Sequence, residues 1–166
     1  MIKHFQYLKY VLTHKYYVFR ECWQYGLIWQ GLIHDWSKFL PSEWFPYVEY
    51  FYGNKDQNTF DIAWNHHQKR HPHHWQYWLL REDNPEADFT PYWQGLQTEK
   101  EAVIHHFFKV LPMPDKYRKE MLCDWRGAGQ AQGKARNETK QWYQANKDNI
   151  FLHPDTQAWI QNELGI

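Results

Sequence analysis

Apolar residues recur three or four apart through most of this chain, and proline or glycine interrupts the recurrence at intervals. Over residues 3–25, Phe5, Leu8, Val11, Leu12, Val18, Phe19 and Cys22 make one helical stripe that Gly26 ends or bends. A shorter helix is expected from Leu27 to Phe39, closed by Pro41. Ser42 then reads as the N-cap of a third helix, with Glu43 and Pro46 in its first turn and an end near Tyr52. Gly53-Asn54 reads as a turn and residues 57–70 as a fourth helix, interrupted by Pro72. Residues 73–80 add another turn or two of helix.

Residues 81–97 hold Pro85, Pro91 and Gly95 among acidic side chains and read as the most mobile loop. Thr98 caps a helix through Phe108. Pro112 and Pro114 introduce another from Asp115 to about Arg126, after which Gly127, Gly129 and Gly133 loosen the chain. Asn137 caps a short helix through Lys147, and His153-Pro154-Asp155-Thr156 opens the last one, ending near Leu164. No stretch shows sustained strand alternation, and there is no internal repeat. The pattern predicts an all-α fold: one domain over residues 1–166, a bundle of seven to nine helices.

Composition changes that picture little. A mean hydropathy of −0.89 suits a disordered chain, but aromatic residues make up 20% of this one and supply large buried area. Lys plus Arg and Asp plus Glu both number 19, so there is no strong nucleic-acid signal and no acidic tail. Apolar runs are too short to cross a bilayer, and the N-terminus lacks a signal-peptide pattern, so a cytoplasmic protein with no membrane partner is expected. Cys22 and Cys123 form no C-x-x-C pair and read as small buried residues in a reducing compartment.

The candidate chemistry lies in the histidines, of which there are 11. The sharpest motif is His34-Asp35-Trp36-Ser37-Lys38. Adjacent His and Asp on one helix point about 100° apart, yet they converge on one ion when the helix lies beside it. Imidazole with carboxylate suits Zn, Mn, Fe or Ni. Lys38 returns to the face of Asp35, where a cation holds a phosphate or another anion near the metal. His14 precedes the pair; His66, His67, His71, His73 and His74 follow it. Asp124, between Cys123 and Trp125, is a carboxylate among apolar neighbours and needs a partner or a metal.

This order (His, His-Asp, His, His, Asp) resembles the HD-domain superfamily of helical metal-dependent phosphohydrolases. The resemblance implies a first metal on His14, His34, Asp35 and Asp124, with Lys38 matching a lysine that many members carry three residues after the paired Asp. Members with two metals have two further histidines, for which His67 and either His73 or His74 are the candidates. His67 and His74, two helical turns apart, are preferred. More closely, the chain is similar to a family of uncharacterised bacterial and phage proteins with HD-like features. The similarity runs from about residue 10 to the end through Ala63-Trp64, His73-His74-Trp75, Met121-Leu122-Cys123-Asp124-Trp125, Trp142-Tyr143 and His153-Pro154. His71 departs from it, standing where Asn is expected.

Other residues have plainer readings beside the functional ones. Glu43 and Tyr47 are expected to rim the pocket, Glu43 as a general base or as a helix-capping carboxylate. Trp36, Trp64, Trp75, Trp78 and Trp125 read chiefly as core, His105-His106 and His153 as structural, and His4 as surface. The leading expectation is a phosphohydrolase with one or two divalent ions (Mn, Zn, Ni or Fe) activating water against a nucleotide or other small phosphorylated substrate. In it, Lys38 stabilises the transition state and Glu43 moves a proton. Two alternatives stand: an HD-fold di-iron oxygenase acting on a small polar substrate, and a non-catalytic helical metal-binding interaction protein. The aromatic content is compatible with a homodimer.

Overall fold

The computed structural model describes residues 2–81 and 108–166. Of the expected loop over 81–97 only Arg81 is described, as the end of a strand; the rest of it, the Thr98 cap and the pair His105-His106 lie outside the described residues. Helix α1, Ile2–Gln24, buries Tyr7, Val11, His14, Val18, Glu21 and Cys22 along one stripe, so a titratable histidine sits within its core face. Gly26, in the left-handed region at φ 71°, turns the chain after it.

The next segment departs from the expected single helix. Helix α2 covers only Ile28–Ile33; His34 is extended (φ −47°, ψ 129°) and Asp35 is left-handed (φ 53°, ψ 30°). A 3-10 turn, Trp36–Phe39, follows. Helix α3, Pro41–Tyr52, starts with Pro41 in its first turn and Leu40 as N-cap, so Ser42 is inside the helix and Pro46 falls in its second turn. Helix α4, Gln57–Arg70, has the expected bounds: Asp56 caps it by accepting from the Thr59 amide at 3.2 Å.

After a 3-10 turn at Trp75–Trp78, strand β1 (Leu79–Arg81) pairs antiparallel with β2 (Phe108–Val110), Leu80 opposite Lys109. At three residues each, these strands are too short to carry a visible alternation, and Phe108 is strand rather than the end of a helix. Helix α5, Asp115–Ala131, continues through Gly127 and Gly129 instead of loosening there. A Cβ at Gly127 would stand 2.5 Å from the Val18 side chain and 2.8 Å from its backbone nitrogen, so glycine is what lets α1 and α5 touch. Helices α6 (Glu138–Asn146) and α7 (Pro154–Leu164) close the chain. His153 caps α7 by accepting from the Asp155 amide at 3.3 Å.

The described residues hold seven α-helices and one two-stranded sheet, an all-α single-domain bundle. Three buried clusters knit it: Tyr7, Val11, Tyr47, Val48 and Ala63 join α1, α3 and α4; Val18, Cys22 and Cys123 join α1 and α5; Met121, Leu122, Tyr143 and Ile160 join α5, α6 and α7. Both cysteines are buried and free. Trp64, Trp75, Trp78 and Trp125 pack against these clusters, but Trp36 is 51% exposed, with the Arg70 guanidinium 5.9 Å from its ring centre. His4 is half-buried and accepts from the Trp44 indole at 3.0 Å. Among the described residues no helix is long and apolar enough to cross a membrane.

Candidate metal centre

Five segments deliver side chains to one buried region. Helix α1 supplies His14 and α5 supplies Asp124, while α4 supplies His67 and the stretch after Pro72 supplies His73 and His74. The break after α2 supplies His34 and Asp35. Because the chain has left the helix there, the pair is not splayed by 100° and both side chains face the same centre. A left-handed backbone is tolerated by Asp better than by most residues, since its short side chain avoids the clash that bulkier ones meet.

Asp35 stands in the middle and its two oxygens face two groups of donors. Oδ2 lies 3.5 Å from His14 Nε2 and 3.4 Å from His34 Nε2, and Asp124 Oδ1 lies 3.2 Å and 3.4 Å from the same nitrogens. Oδ1 lies 3.2 Å from both His67 Nε2 and His73 Nε2, and His74 completes that group. Although close, these atoms are not aligned as hydrogen bonds. The Nε2 atoms of all five histidines and both Asp35 oxygens are buried without a hydrogen-bond partner among the described residues. Leaving so many polar atoms unsatisfied is costly unless something else binds them. Donors about 2.1 Å from a common cation stand about 3.0–3.4 Å from one another in octahedral or tetrahedral geometry, and the carboxylate–imidazole distances here, 3.2–3.5 Å, come close to that. The donor set therefore fits one or two divalent cations, and Asp35 belongs to both groups of donors that would hold them.

The rear nitrogens of three of these histidines meet carboxylates. His34 Nδ1 is 3.0 Å, and His73 Nδ1 3.1 Å, from the same Glu120 oxygen; His67 Nδ1 is 2.8 Å from Glu43 Oε2. A rear N–H donated this way leaves the forward Nε2 lone pair free for a metal. Glu43 also accepts from Ser37 Oγ at 2.9 Å and from Arg70 Nη1 at 2.8 Å. Both its oxygens are thus engaged behind His67, so it neither caps α3 through its side chain nor faces the centre as a base. His71, the departure from the family pattern, contacts Ser37 Oγ at 2.6 Å through Nε2.

Sequence reasoning brought His14, His34, Asp35, His67, His74 and Asp124 forward as donors, and all six converge. It left His73 as the less favoured of two, whereas His73 and His74 both join the group around Asp35 Oδ1. It missed Glu120 and the role of Ser37. Glu120 precedes Asp124 by four residues on one helix, so the spacing that puts both on one face of α5 was a usable signal. Lys38 ends 2.5 Å from Asp35 Oδ2, one 3-10 turn along, and is held near the centre as expected.

Charge in the centre is tightly balanced. Burial pushes the Asp35 carboxyl up, but His34, Lys38 and His67 outweigh it and hold it well below the usual carboxylate range. Asp124 is depressed likewise by His14 and His34, and Glu120 falls to about 2 as burial is overcome by its bonds to His34 and His73. Burial works against protonation of His14, His67 and His73, yet facing carboxylates raise all three, His73 to about 10. Burial and the adjacent His73 keep His74 neutral, and burial takes His71 down to about 3. Lys38 is raised by Asp35 and Asp124 against burial and stays an ammonium.

A family model described as "Family of unknown function (DUF5662)" matches residues 3–166, and the chain belongs to that family. No curated protein and no solved structure matches it.

Proposed function

We propose that this member of the DUF5662 family is a metal-dependent phosphohydrolase that hydrolyses a phosphate ester with water. The observation that supports it most is the set of buried, unpartnered donors on both sides of Asp35. His14, His34, Asp35 and Asp124 would hold one ion, and Asp35, His67, His73 and His74 a second. Such ions supply a bound water of lowered pKa and polarise a phosphoryl oxygen. Five imidazoles and two carboxylates without a thiolate suit Mn, Fe, Zn or Ni.

The chain's own groups do the rest. The Lys38 ammonium, fixed by Asp35, neutralises charge that grows on the phosphoryl oxygens. Glu120 and Glu43 hold the rear protons of His34, His73 and His67, so the forward nitrogens stay unprotonated when ligating. A purely structural metal site has no use for Lys38, which favours catalysis over a scaffold role. The resemblance to the HD-domain superfamily points the same way.

The test is metal content, measured on protein purified without a chelating column because the histidines themselves would capture nickel. We expect close to two equivalents in the natural chain, none in Asp35→Ala, and a phosphatase activity that disappears with the metal. Protein that takes up no metal overturns the reading. Two irons with oxygen consumption and no hydrolysis would transfer the site to the di-iron oxygenases instead.

A further inference from the structure

Lys38 also closes one end of a cavity of about 230 Å³ between α1, α3 and α4. Tyr7 and Tyr47 line it, only 1% and 4% exposed, and neither hydroxyl has a hydrogen-bond partner among the described residues. A buried phenol usually finds a partner, and leaving two unpaired in one cavity costs free energy that only an acceptor from outside the chain recovers. Both phenols are held protonated by burial, so they are donors. Lys38 gives one N–H to Asp35 and has two more to offer. Three donor-bearing side chains therefore line one cavity beside the metal centre.

The remaining wall is made of rings, chiefly Phe51, Phe60 and Trp64. Among the described residues, Lys38 is the one cation in the lining and no arginine reaches it. The volume lies below the roughly 300–1,000 Å³ of pockets that take drug-sized ligands. The cavity thus has charge capacity for a single anionic group and apolar capacity for a compact body.

We propose that this cavity is the substrate pocket, and that it takes a small molecule with one tetrahedral oxyanion on a ring-bearing body. Lys38 and the hydroxyls of Tyr7 and Tyr47 hold the oxyanion, and Phe60 and Trp64 cover the body. The proposal rests on the phosphohydrolase reading for the identity of that oxyanion, and narrows the substrate to monoesters. A triphosphate chain would bring several charges to one lysine.

Calorimetry with phenylphosphonate, methylphosphonate and adenosine β,γ-methylene triphosphate tests it, on metal-loaded and metal-free protein of assayed metal content. Phenylphosphonate should bind about tenfold or more tighter than methylphosphonate, the gain from burying a ring. Phe60→Leu should shrink that preference. Tyr7→Phe and Tyr47→Phe should each weaken both phosphonates about tenfold while leaving the melting temperature of the unliganded protein unchanged or higher, because no internal hydrogen bond is lost. The proposal is overturned if the two phosphonates bind equally in both forms, if both tyrosine variants bind as the natural chain does, or if the triphosphate analogue binds tightest. Protein without metal would defeat the phosphohydrolase reading alone, since ring preference and tyrosine dependence in the metal-free form still decide the pocket.

Discussion

Asp35 meets two demands at once: a backbone in the left-handed region and a carboxylate with each oxygen facing a different set of imidazoles. Glu120 meets two as well, since one of its oxygens serves the rear nitrogens of both His34 and His73. Removing its charge should therefore weaken both halves of the centre. Glu120→Gln is expected to lower metal affinity about 10–100-fold at each site with the fold retained, as read by competition against a chelator and by circular dichroism. Glu43→Gln should affect only the half that contains His67. Affinities equal to those of the natural chain would deny these carboxylates any role in positioning. The donors themselves were legible because their order along the chain is informative. Glu120 was passed over despite its spacing from Asp124, because a glutamate on an amphipathic helix ordinarily reads as a solvated side chain.

At the level of elements, Gly127 sits where α5 passes over Val18 of α1. Gly127→Ala should cost about 1–3 kcal/mol through overpacking, measured by denaturant unfolding, although alanine is the better helix former. Val18→Ala in the same chain should recover part of that loss, and failure to do so would place the strain elsewhere. This contact explains one misreading: glycine in a helix signals loosening when only local propensity is considered, and close packing when a second helix lies against it. The bounds of α4 were legible because Asp56 and Pro72 punctuate it locally. The end of α2 was not, because nothing in the run of residues 27–39 announces a left-handed aspartate. The strands were hidden by their length, and Ser42 lost the capping position to Leu40 because Pro41 already occupies the first turn.

For the whole molecule, the centre ties α1, α4, α5 and the break after α2 together, so an ion there fastens parts of the chain that are distant in sequence. Chelation should lower the melting temperature by roughly 8–16 °C, taking about 4 kcal/mol for a ligand at a thousand times its Kd and 2–4 °C per kcal/mol. The two forms should also respond oppositely to pH. Without metal, the raised pKa values of His14, His67 and His73 contribute stability that is complete below about pH 6.5 and fades as pH rises through the folded values, up to about 10 for His73. With metal, the imidazoles must be unprotonated, so stability falls as pH drops below neutrality. Melting curves of both forms between pH 5.5 and pH 9.5, ranges set by these groups, would reveal the crossing; parallel curves would exclude it. Val18 lies one turn from His14, and Gly127 three residues from Asp124, so the depth to which the two helices sink together sets the span between those donors. If the centre binds metal as proposed, a lone hydrogen on α5 would thereby act as a gauge of ionic radius. Zinc bonds to nitrogen at about 2.0–2.1 Å, whereas calcium sits about 2.3–2.6 Å from its ligands. On the proposed metal reading, discrimination among ions would be set in part by a residue that touches none of the donors, and prising the helices apart there should tilt selection toward larger ions.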